Sequence, residues 1–157
     1  MAKRLHHEDV AEFLAACDQA PSRELAMLYF NLIREEFDEL WDAWVRKGNV
    51  GLSSSFKPEQ VEGTIDALAD LIWVAYGMML ALGVPPNEAW SPVAKANLSK
   101  IDGKTGKVLK REDGKVLKPE GWESPSHAHL VSAVLATLGI QQEEGVSDER
   151  VVECAGE

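Results

Sequence analysis

Apolar residues recur along most of this chain at the three- and four-residue spacing of amphipathic helices. Between Ser22 and Lys47, read at about 100° per residue, one face of the predicted helix is apolar. It carries Leu25, Tyr29, Leu32, Ile33, Leu40 and Trp44. Ser22 is suited to cap this helix, and Gly48 is suited to end it after two basic residues. The pattern predicts a long helix that faces the core.

A second long helix is predicted from Pro58, a favoured first helical residue, to about Leu82, where Gly83 and a pair of prolines follow. The side expected to face the core carries Val61, Ile65, Leu68, Ala69, Ile72, Ala75 and Met79. The remainder is largely apolar too, with Leu71, Val74, Met78 and Leu82. Because one layer of short helices covers only part of such a surface, we expect a homo-oligomer.

Shorter elements flank these two helices. Amphipathic patterns predict helices over residues 8–18, 87–100 and 126–138, with Pro92 either kinking the middle one or marking its first turn. Between the last two, the pentapeptide Gly-Lys-Val-Leu-Lys occurs at 106–110 and again at 114–118. Two short strands around the turn at 111–114 predict a small β-hairpin near 105–118. The fold class expected is therefore all-α with one hairpin.

The length and composition indicate one ordinary globular domain. We place it at residues 1–140 of 157, followed by an acidic tail at 141–157 that has little to bury. The chain lacks an uninterrupted apolar run of the roughly 18 residues that a membrane span needs. The N-terminal residues contain no apolar signal segment, and Cys17 and Cys154 have no motif spacing. A cytoplasmic protein with reduced cysteines and no membrane association is expected.

The charge is unevenly distributed. The net charge is -10, but residues 95–118 carry eight basic and three acidic residues, so this segment is +5 and the rest is -15. An acidic protein with one basic segment is poorly suited to bind duplex nucleic acid, which favours a basic face. The distribution suits a small polyanion held between bound cations and a few lysines.

Carboxylates interrupt the apolar faces of both long helices. Glu36 lies inside the apolar face of the first helix, with Glu39 at its edge. In the second helix, Glu62, Asp66 and Asp70 recur every four residues as one stripe. An unpaired charge in an apolar interior costs several kcal/mol or more, so such groups are normally paired or bind a cation. Both helices therefore direct carboxylates toward partly buried surface, whereas Asp38 and Asp42 lie on the outer side of the first helix. The two helices together predict a metal site.

The ligand chemistry of this site is oxygen only, which favours hard cations such as Mg²⁺ and Mn²⁺. The rival interpretation is a ferritin-like di-iron bundle, which needs a Glu-x-x-His pair on two helices. The chain has no such pair, because its histidines lie near the termini: His6, His7, His127 and His129. Di-iron chemistry is therefore disfavoured.

At this point four motifs, taken in order, carry a resemblance. They are Arg34-Glu35-Glu36-x-x-Glu39, Asp66-Ala67-Leu68-Ala69-Asp70-Leu71, Asn97-Leu98-Ser99-Lys100 and Gly114-Lys115-Val116-Leu117-Lys118-Pro119. Over residues 8–122 the chain resembles the all-α nucleoside triphosphate pyrophosphohydrolases of the MazG-like superfamily. Within it, the order of motifs is most similar to the branch related to phosphoribosyl-ATP pyrophosphohydrolase, and there to phage MazZ-type dATP/dGTP pyrophosphohydrolases.

The resemblance implies an oligomeric enzyme, a dimer or tetramer, that hydrolyses purine deoxynucleoside triphosphates (dGTP or dATP) to the monophosphate and pyrophosphate. It implies a cytoplasmic location, in the host cytoplasm if the protein is phage-encoded. The implied metal ligands are Glu36, Glu39, Asp66 and Asp70, which would hold two or more Mg²⁺ or Mn²⁺ ions. The implied catalytic carboxylates are Glu35, Glu36, Glu39 and Asp70, with Glu35 or another carboxylate orienting the attacking water. The implied substrate-binding residues are Asn97, Lys100, Lys104, Lys115 and Lys118.

One departure from the family pattern leaves a role open. The second motif usually has a glutamate where this chain has Ala67, so Asp66 or Glu62 would have to replace it. The aromatic residues available to stack on a base are Trp41, Trp44, Phe56, Trp73, Trp90 and Trp122. Among them Trp41, Trp44 and Trp73 have core spacing, which favours packing.

Other functions remain open on the sequence. Within the enzyme class, the substrate is alternatively phosphoribosyl-ATP or a pyrimidine deoxynucleotide. Outside it, the same carboxylates would suit a non-catalytic helical module that holds a structural cation or contacts a basic protein partner.

Overall fold

The computed structural model describes residues 4–46 and 57–141, and the regular structure within these ranges is helical. The helices are α1 (His6–Ala16), α2 (Arg23–Trp41), α3 (Pro58–Ala81), α4 (Pro86–Leu98) and α5 (Ala128–Thr137), and a π-helical turn (Asp42–Arg46) continues α2. The all-α class and the predicted helices are confirmed, with ends that move by a few residues. The predicted connection at 49–57 and the acidic tail fall almost entirely outside the described residues, as do Gly48, Phe56 and Cys154.

The helix starts follow from local hydrogen bonding. Ser22 precedes α2, and its Oγ accepts a hydrogen bond from the backbone N of Leu25 at 3.1 Å, as the capping prediction requires. Pro58 opens α3, and the side chain of Gln60 accepts from the backbone N of Lys57 at 2.9 Å. Gly83 follows α3 with φ 72°, a left-handed conformation that glycine adopts without strain. The two hydrogen bonds fix where α2 and α3 begin, and Gly83 fixes where α3 ends.

The core forms where α2 packs along α3, with α1 across them. Its buried members are Val10, Leu14, Leu25, Ala26, Tyr29, Val74 and Ala81. At the closest point the ring of Tyr29 lies on Gly77, so near that a Cβ at this glycine would be 1.9 Å from Tyr29 Cε1. A side chain at this position would push the helices apart, so the glycine permits the close approach.

The side of α3 that packs inward differs from the prediction. The buried residues of α3 are Thr64, Ala67, Val74, Gly77 and Ala81. The bulky side predicted to face the core is exposed in the single chain, with Val61 and Leu68 at 45%, Ile72 at 57% and Ile65 at 63%. The physical reason is that close helix contact selects small side chains at the seam, whatever the total hydrophobicity of each side.

The apolar character of α3 has a second consequence. By length and composition alone this helix would be able to cross a membrane. It nevertheless packs against α1 and α2, and it carries the acidic residues Glu59, Glu62, Asp66 and Asp70. A central helix of a protein core passes the same test, and we interpret α3 as one.

The segment between α4 and α5 consists of two tight turns. Isolated antiparallel bridges join Ile101 to Val108 and Lys110 to Val116, and the backbone N of Leu117 donates to Leu109 O at 2.8 Å. The chain reverses at 111–114 as the hairpin prediction expects, but the pairing within the described residues stops at single bridges and no strand forms. Alternating Gly, Lys and Asp leave too few apolar side chains to hold a longer ladder.

Candidate active site

The seam between α2 and α3 determines which carboxylates face each other. Starting from the Tyr29–Gly77 contact, seven residues forward on α2 lead to Glu36, and seven residues back on α3 lead to Asp70. Seven residues are about two helical turns, so in antiparallel helices these positions return to the same seam. The carboxylates of Glu36 and Asp70 therefore lie on facing sides of the two helices. The sequence predicted carboxylates on both helices without showing which of them face each other, and the close packing at Gly77 supplies this register.

Glu36 is the carboxylate with the most unfavourable environment. It is half-buried, and burial raises the pKa of its carboxyl, with further raising by the negative charges of Asp70, Glu39, Glu35 and Asp66, in that order. Among the described residues, all the charges that shift this pKa are carboxylates, and none is a lysine or arginine. The ionised form of Glu36 is thus destabilised by its surroundings, which is the state of a site that a cation would relieve.

A groove of about 410 Å³ runs beside this pair. Acidic residues line it from both sides, Asp38, Glu39 and Asp42 from the α2 side and Asp66 from α3, over a floor of Ala43, Gly63 and Ala67. Sequence reasoning placed Asp38 and Asp42 on the outer side of the helix and so missed them. For Asp42 the reason is the π-helical turn, which begins at this residue and changes the angle between successive residues, a change that hydrophobic spacing does not reveal.

The lining of the groove helps to identify which acid replaces the glutamate that the second motif lacks. Ala67 is buried and forms part of the groove floor, so the volume that a longer acidic side chain would take is open. Asp66 lines this groove and also a second hollow beside it, whereas Glu62 lines only the second hollow. Both acids are exposed, so the prediction that the α3 stripe points toward partly buried surface is wrong for the single chain.

The donor set suits a hard divalent cation in its chemistry. Carboxylate oxygens from two helices are the groups that Mg²⁺ and Mn²⁺ prefer. Within residues 4–46 and 57–141, however, no three acidic, histidine or cysteine side chains already converge at metal-binding distance. Binding an ion therefore requires these side chains to rotate inward, which exposed carboxylates on two helices can do.

The predicted substrate-binding residues separate into two groups. Asn97, Lys100 and Lys118 come together around Trp122: Lys100 Nζ donates to Asn97 Oδ1 at 2.8 Å, and the ammonium groups of Lys100 and Lys118 lie 5.1 and 4.1 Å from the centre of the Trp122 ring. This clustering brings residues from α4 and from the second turn to one place. It groups three of the five predicted residues without linking them to the carboxylates.

Lys104 and Lys115 form the other group, and their backbones belong to the two turns. The backbone N of Lys104 donates to Asp102 Oδ1 at 3.1 Å, and the backbone N of Lys115 donates to Asp113 Oδ1 at 3.0 Å. Hydrogen bonds from Thr105 lower the pKa of Asp102, and the Arg111 guanidinium lowers that of Asp113. Each aspartate therefore stays ionised and organises its turn, which leaves the side chains of both lysines exposed.

The aromatic residues have different surroundings from those predicted. Trp73 packs edge-on against Phe13, which fits its expected structural role. Trp41 and Trp44 are 48% and 47% exposed in the single chain, so the expectation that they pack in the core is wrong here. They line an apolar groove of about 410 Å³ with Phe37, Leu40, Val45, Thr64 and Leu68, which continues the exposed side of α3.

Comparison with known proteins agrees with the carboxylate motifs. The family model described as phosphoribosyl-ATP pyrophosphohydrolase matches residues 2–97 of this chain. A search of curated proteins found no significant match. The matched region holds α1 to α4 up to Asn97, and so includes Glu36, Glu39, Asp66 and Asp70. The chain belongs to the phosphoribosyl-ATP pyrophosphohydrolase family, within the MazG-like superfamily, and is a nucleotide pyrophosphohydrolase.

Proposed function

We propose that this protein hydrolyses purine deoxynucleoside triphosphates, dGTP or dATP, to the monophosphate and pyrophosphate with Mg²⁺ or Mn²⁺. The observation that carries the proposal is the half-buried Glu36, whose pKa is raised by burial and by four carboxylates, with no compensating positive side chain in the part of the chain that the structure describes. A site with this charge and oxygen donors calls for cations, and cations in turn attract phosphates.

Four carboxylates would hold the ions. Glu36 and Asp70 face each other across the helix seam, and Glu39 and Asp66 line the adjacent groove. We assign to Asp66, rather than Glu62, the place of the glutamate missing at Ala67, because Asp66 alone of the two lines the acidic groove. Two or more divalent ions would neutralise phosphate charge, polarise the attacked phosphorus and lower the pKa of water.

The remaining polar residues would serve the water and the leaving group. Glu35 is exposed on α2 and acts electrostatically on Glu36, so it is placed to orient the attacking water or accept its proton. Water attack breaks the phosphoanhydride bond between the α- and β-phosphates, and negative charge then develops on the departing pyrophosphate. Asn97, Lys100, Lys104, Lys115 and Lys118 would stabilise that charge.

The choice of substrate is supported by the basic segment. The family match ends at Asn97, while Lys100, Lys104, Lys115 and Lys118 follow it. The preference for a purine deoxynucleotide rests on the order of the four motifs, of which the last two, at residues 97–100 and 114–119, lie in or next to this segment. Phosphoribosyl-ATP is the second candidate, because the matching family is described by that substrate.

A panel of substrates decides between these candidates. Purified protein with Mg²⁺ or Mn²⁺ is incubated with dGTP, dATP, dCTP, dUTP and phosphoribosyl-ATP, and pyrophosphate release is measured. We expect the highest kcat/KM on a purine deoxynucleotide. Preference for phosphoribosyl-ATP or a pyrimidine nucleotide would overturn the substrate assignment. Absence of hydrolysis together with metal-dependent melting would instead favour a non-catalytic metal-binding module.

We also propose that the protein works as a homo-oligomer, a dimer or tetramer. The exposed side of α3, with Ile65 and Ile72, continues into the apolar groove beside Trp41 and Trp44. Monomeric proteins rarely leave such continuous apolar surface in water, and a second copy offers a matching face.

The oligomer is tested by one charge placed on this side. Light scattering after size exclusion should give a multiple of 17.3 kDa for the wild type and a smaller species for Ile72→Lys. Leu109→Lys is the matched control, since Leu109 is 69% exposed but lies in the turn segment. A monomeric wild type would contradict the proposal.

A further inference from the structure

Trp122 lies beyond the family match and joins the end of α4 to the chain that returns after the two turns. Its Nε1 donates a hydrogen bond to Ala96 O at 2.6 Å. That carbonyl is near the C-terminus of α4, where the usual donor, the backbone N of Lys100, bonds to Asn97 O at 3.2 Å instead. Helix ends leave such carbonyls in need of partners. The half-buried indole is therefore held in place from one edge.

The same indole ring contacts two ammonium groups. Lys118 Nζ lies 4.1 Å and Lys100 Nζ 5.1 Å from the ring centre, both within the roughly 6 Å range of cation–π attraction. Lys100 is further directed by its hydrogen bond to Asn97 Oδ1, and Asn97 Nδ2 in turn donates to Val93 O at 3.0 Å. Two long side chains from separate parts of the chain are thus held as a pair.

We propose that Trp122 is a positioning residue, which holds Lys100 and Lys118 together as a site for a pyrophosphate group. Both ammonium groups lie within about 6 Å of one ring centre, so they repel each other, and without the ring they would separate in solvent. A pyrophosphate presents oxygens on both phosphorus atoms, so a fixed pair of donors binds it better than two independent lysines. The inference that this pyrophosphate group is part of a nucleotide substrate, or is the released product, rests on the proposed function.

We therefore assign to the Trp122 ring the role of positioning the two lysines, and not that of stacking on a nucleobase. Within the described residues, its indole N–H donates to one backbone carbonyl and its ring lies against two ammonium groups. These interactions distinguish Trp122 from Trp90, which lies in α4 and is 64% exposed. Trp90→Leu is consequently a control that removes an indole without disturbing the lysine pair.

The test measures binding of inorganic pyrophosphate to the full chain by calorimetry in EDTA, so that metal binding and hydrolysis do not contribute. We expect Trp122→Leu and Lys118→Ala each to weaken binding on the order of five- to tenfold, and Trp90→Leu to leave it unchanged. Trp122→Phe keeps an aromatic face but loses the bond to Ala96 O. It should lower the melting temperature yet keep binding within about threefold of wild type.

The decisive readout is the double variant Trp122→Leu/Lys118→Ala. If the ring acts through the lysines, the loss of binding in the double variant is smaller than the product of the two single losses, because Lys118→Ala already removes one of the two side chains through which the ring acts. Multiplied losses, or a Trp122→Leu protein that binds like wild type, would overturn the inference. Intact pyrophosphate binding in a protein that hydrolyses no nucleotide would leave the inference standing and refute the proposed function.

Discussion

Replacing Gly77 by alanine tests the helix seam that sets the register of the active-site carboxylates. The added Cβ would lie 1.9, 2.4 and 2.6 Å from three atoms of the Tyr29 ring. Carbon atoms in contact are normally about 3.5–4.0 Å apart, so the nearest pair would overlap by roughly 1.6 Å or more. Tyr29 is only 4% exposed, which leaves its ring no free space to enter. Either α2 and α3 separate or the core repacks.

The magnitude follows from two opposed terms. Overpacking of a core typically costs about 1–3 kcal/mol and occasionally more, and three ring atoms place this site at the upper end or beyond. Alanine in a helix gains about 1 kcal/mol over glycine. We therefore expect a net loss of about 2–3 kcal/mol in the free energy of unfolding. For a chain of this length the melting temperature should fall by about 4–12 °C.

Gly63 provides a matched control on the same helix. Nothing lies within 4 Å of the position that its Cβ would take. Gly63→Ala should therefore show the propensity gain alone, about 0.5–1 kcal/mol of added stability. Both variants are followed by helical circular dichroism during thermal and urea unfolding, at one protein concentration, because oligomers unfold at concentration-dependent temperatures.

A double variant identifies the clash itself. Tyr29→Ala removes the ring and should cost about 3–5 kcal/mol through the cavity it leaves. In that background Gly77→Ala should lose its penalty, so the two changes would be strongly non-additive. The reasoning is refuted if Gly77→Ala is as stable as wild type, or if its effect is the same with and without the Tyr29 ring.

Three further predictions concern the caps and the carboxylates. Ser22→Ala removes the hydrogen bond to the Leu25 amide and should lower stability by about 1 kcal/mol in urea unfolding; an unchanged midpoint would contradict the capping role. The raised pKa of Glu36 makes the native state hold this proton more tightly, so its contribution to stability is present below the ordinary value of 4.5 and is lost as pH rises through the raised pKa. Glu36→Gln should accordingly be more stable than wild type at neutral pH in EDTA, and the difference should fade below about pH 4.5. Identical unfolding curves of the two proteins at both pH values would refute the claim that the charge of Glu36 is destabilised by its surroundings. Mn²⁺ at one hundred times its Kd should stabilise the wild type by about 2.7 kcal/mol, and this gain should vanish in Asp70→Asn when measured by melting temperature.

The sequence was sufficient for the elements and for the main pair of carboxylates. Helical spacing placed Glu36 within an apolar face and Asp70 on a stripe of the second helix, and the structure brings these two positions to one seam. The capping of α2 by Ser22 was also predictable, since an N-cap depends on residues close in sequence. These features all depend on short-range spacing.

The orientation of α3 was not predictable from hydrophobicity. Both of its sides are apolar, so hydrophobicity alone does not indicate which side faces the core. The contact that decides between the two sides is the fit of Tyr29 on Gly77. That fit is a property of two helices together. The groove residue Asp42 was missed for a related reason, because a π-helical turn begins there and changes the spacing at the end of α2.

Pyrophosphate release from dGTP and dATP in the presence of Mg²⁺ or Mn²⁺, compared between wild type, Glu36→Gln and Asp70→Asn, tests the central claim most directly. Glu24→Gln is the control, because Glu24 is an exposed acid in the first turn of α2, far along the helix from the site. The account predicts that both site variants lose at least about a hundredfold in kcat/KM while remaining folded, and that the control stays near wild type. Retained turnover in either folded site variant would contradict it.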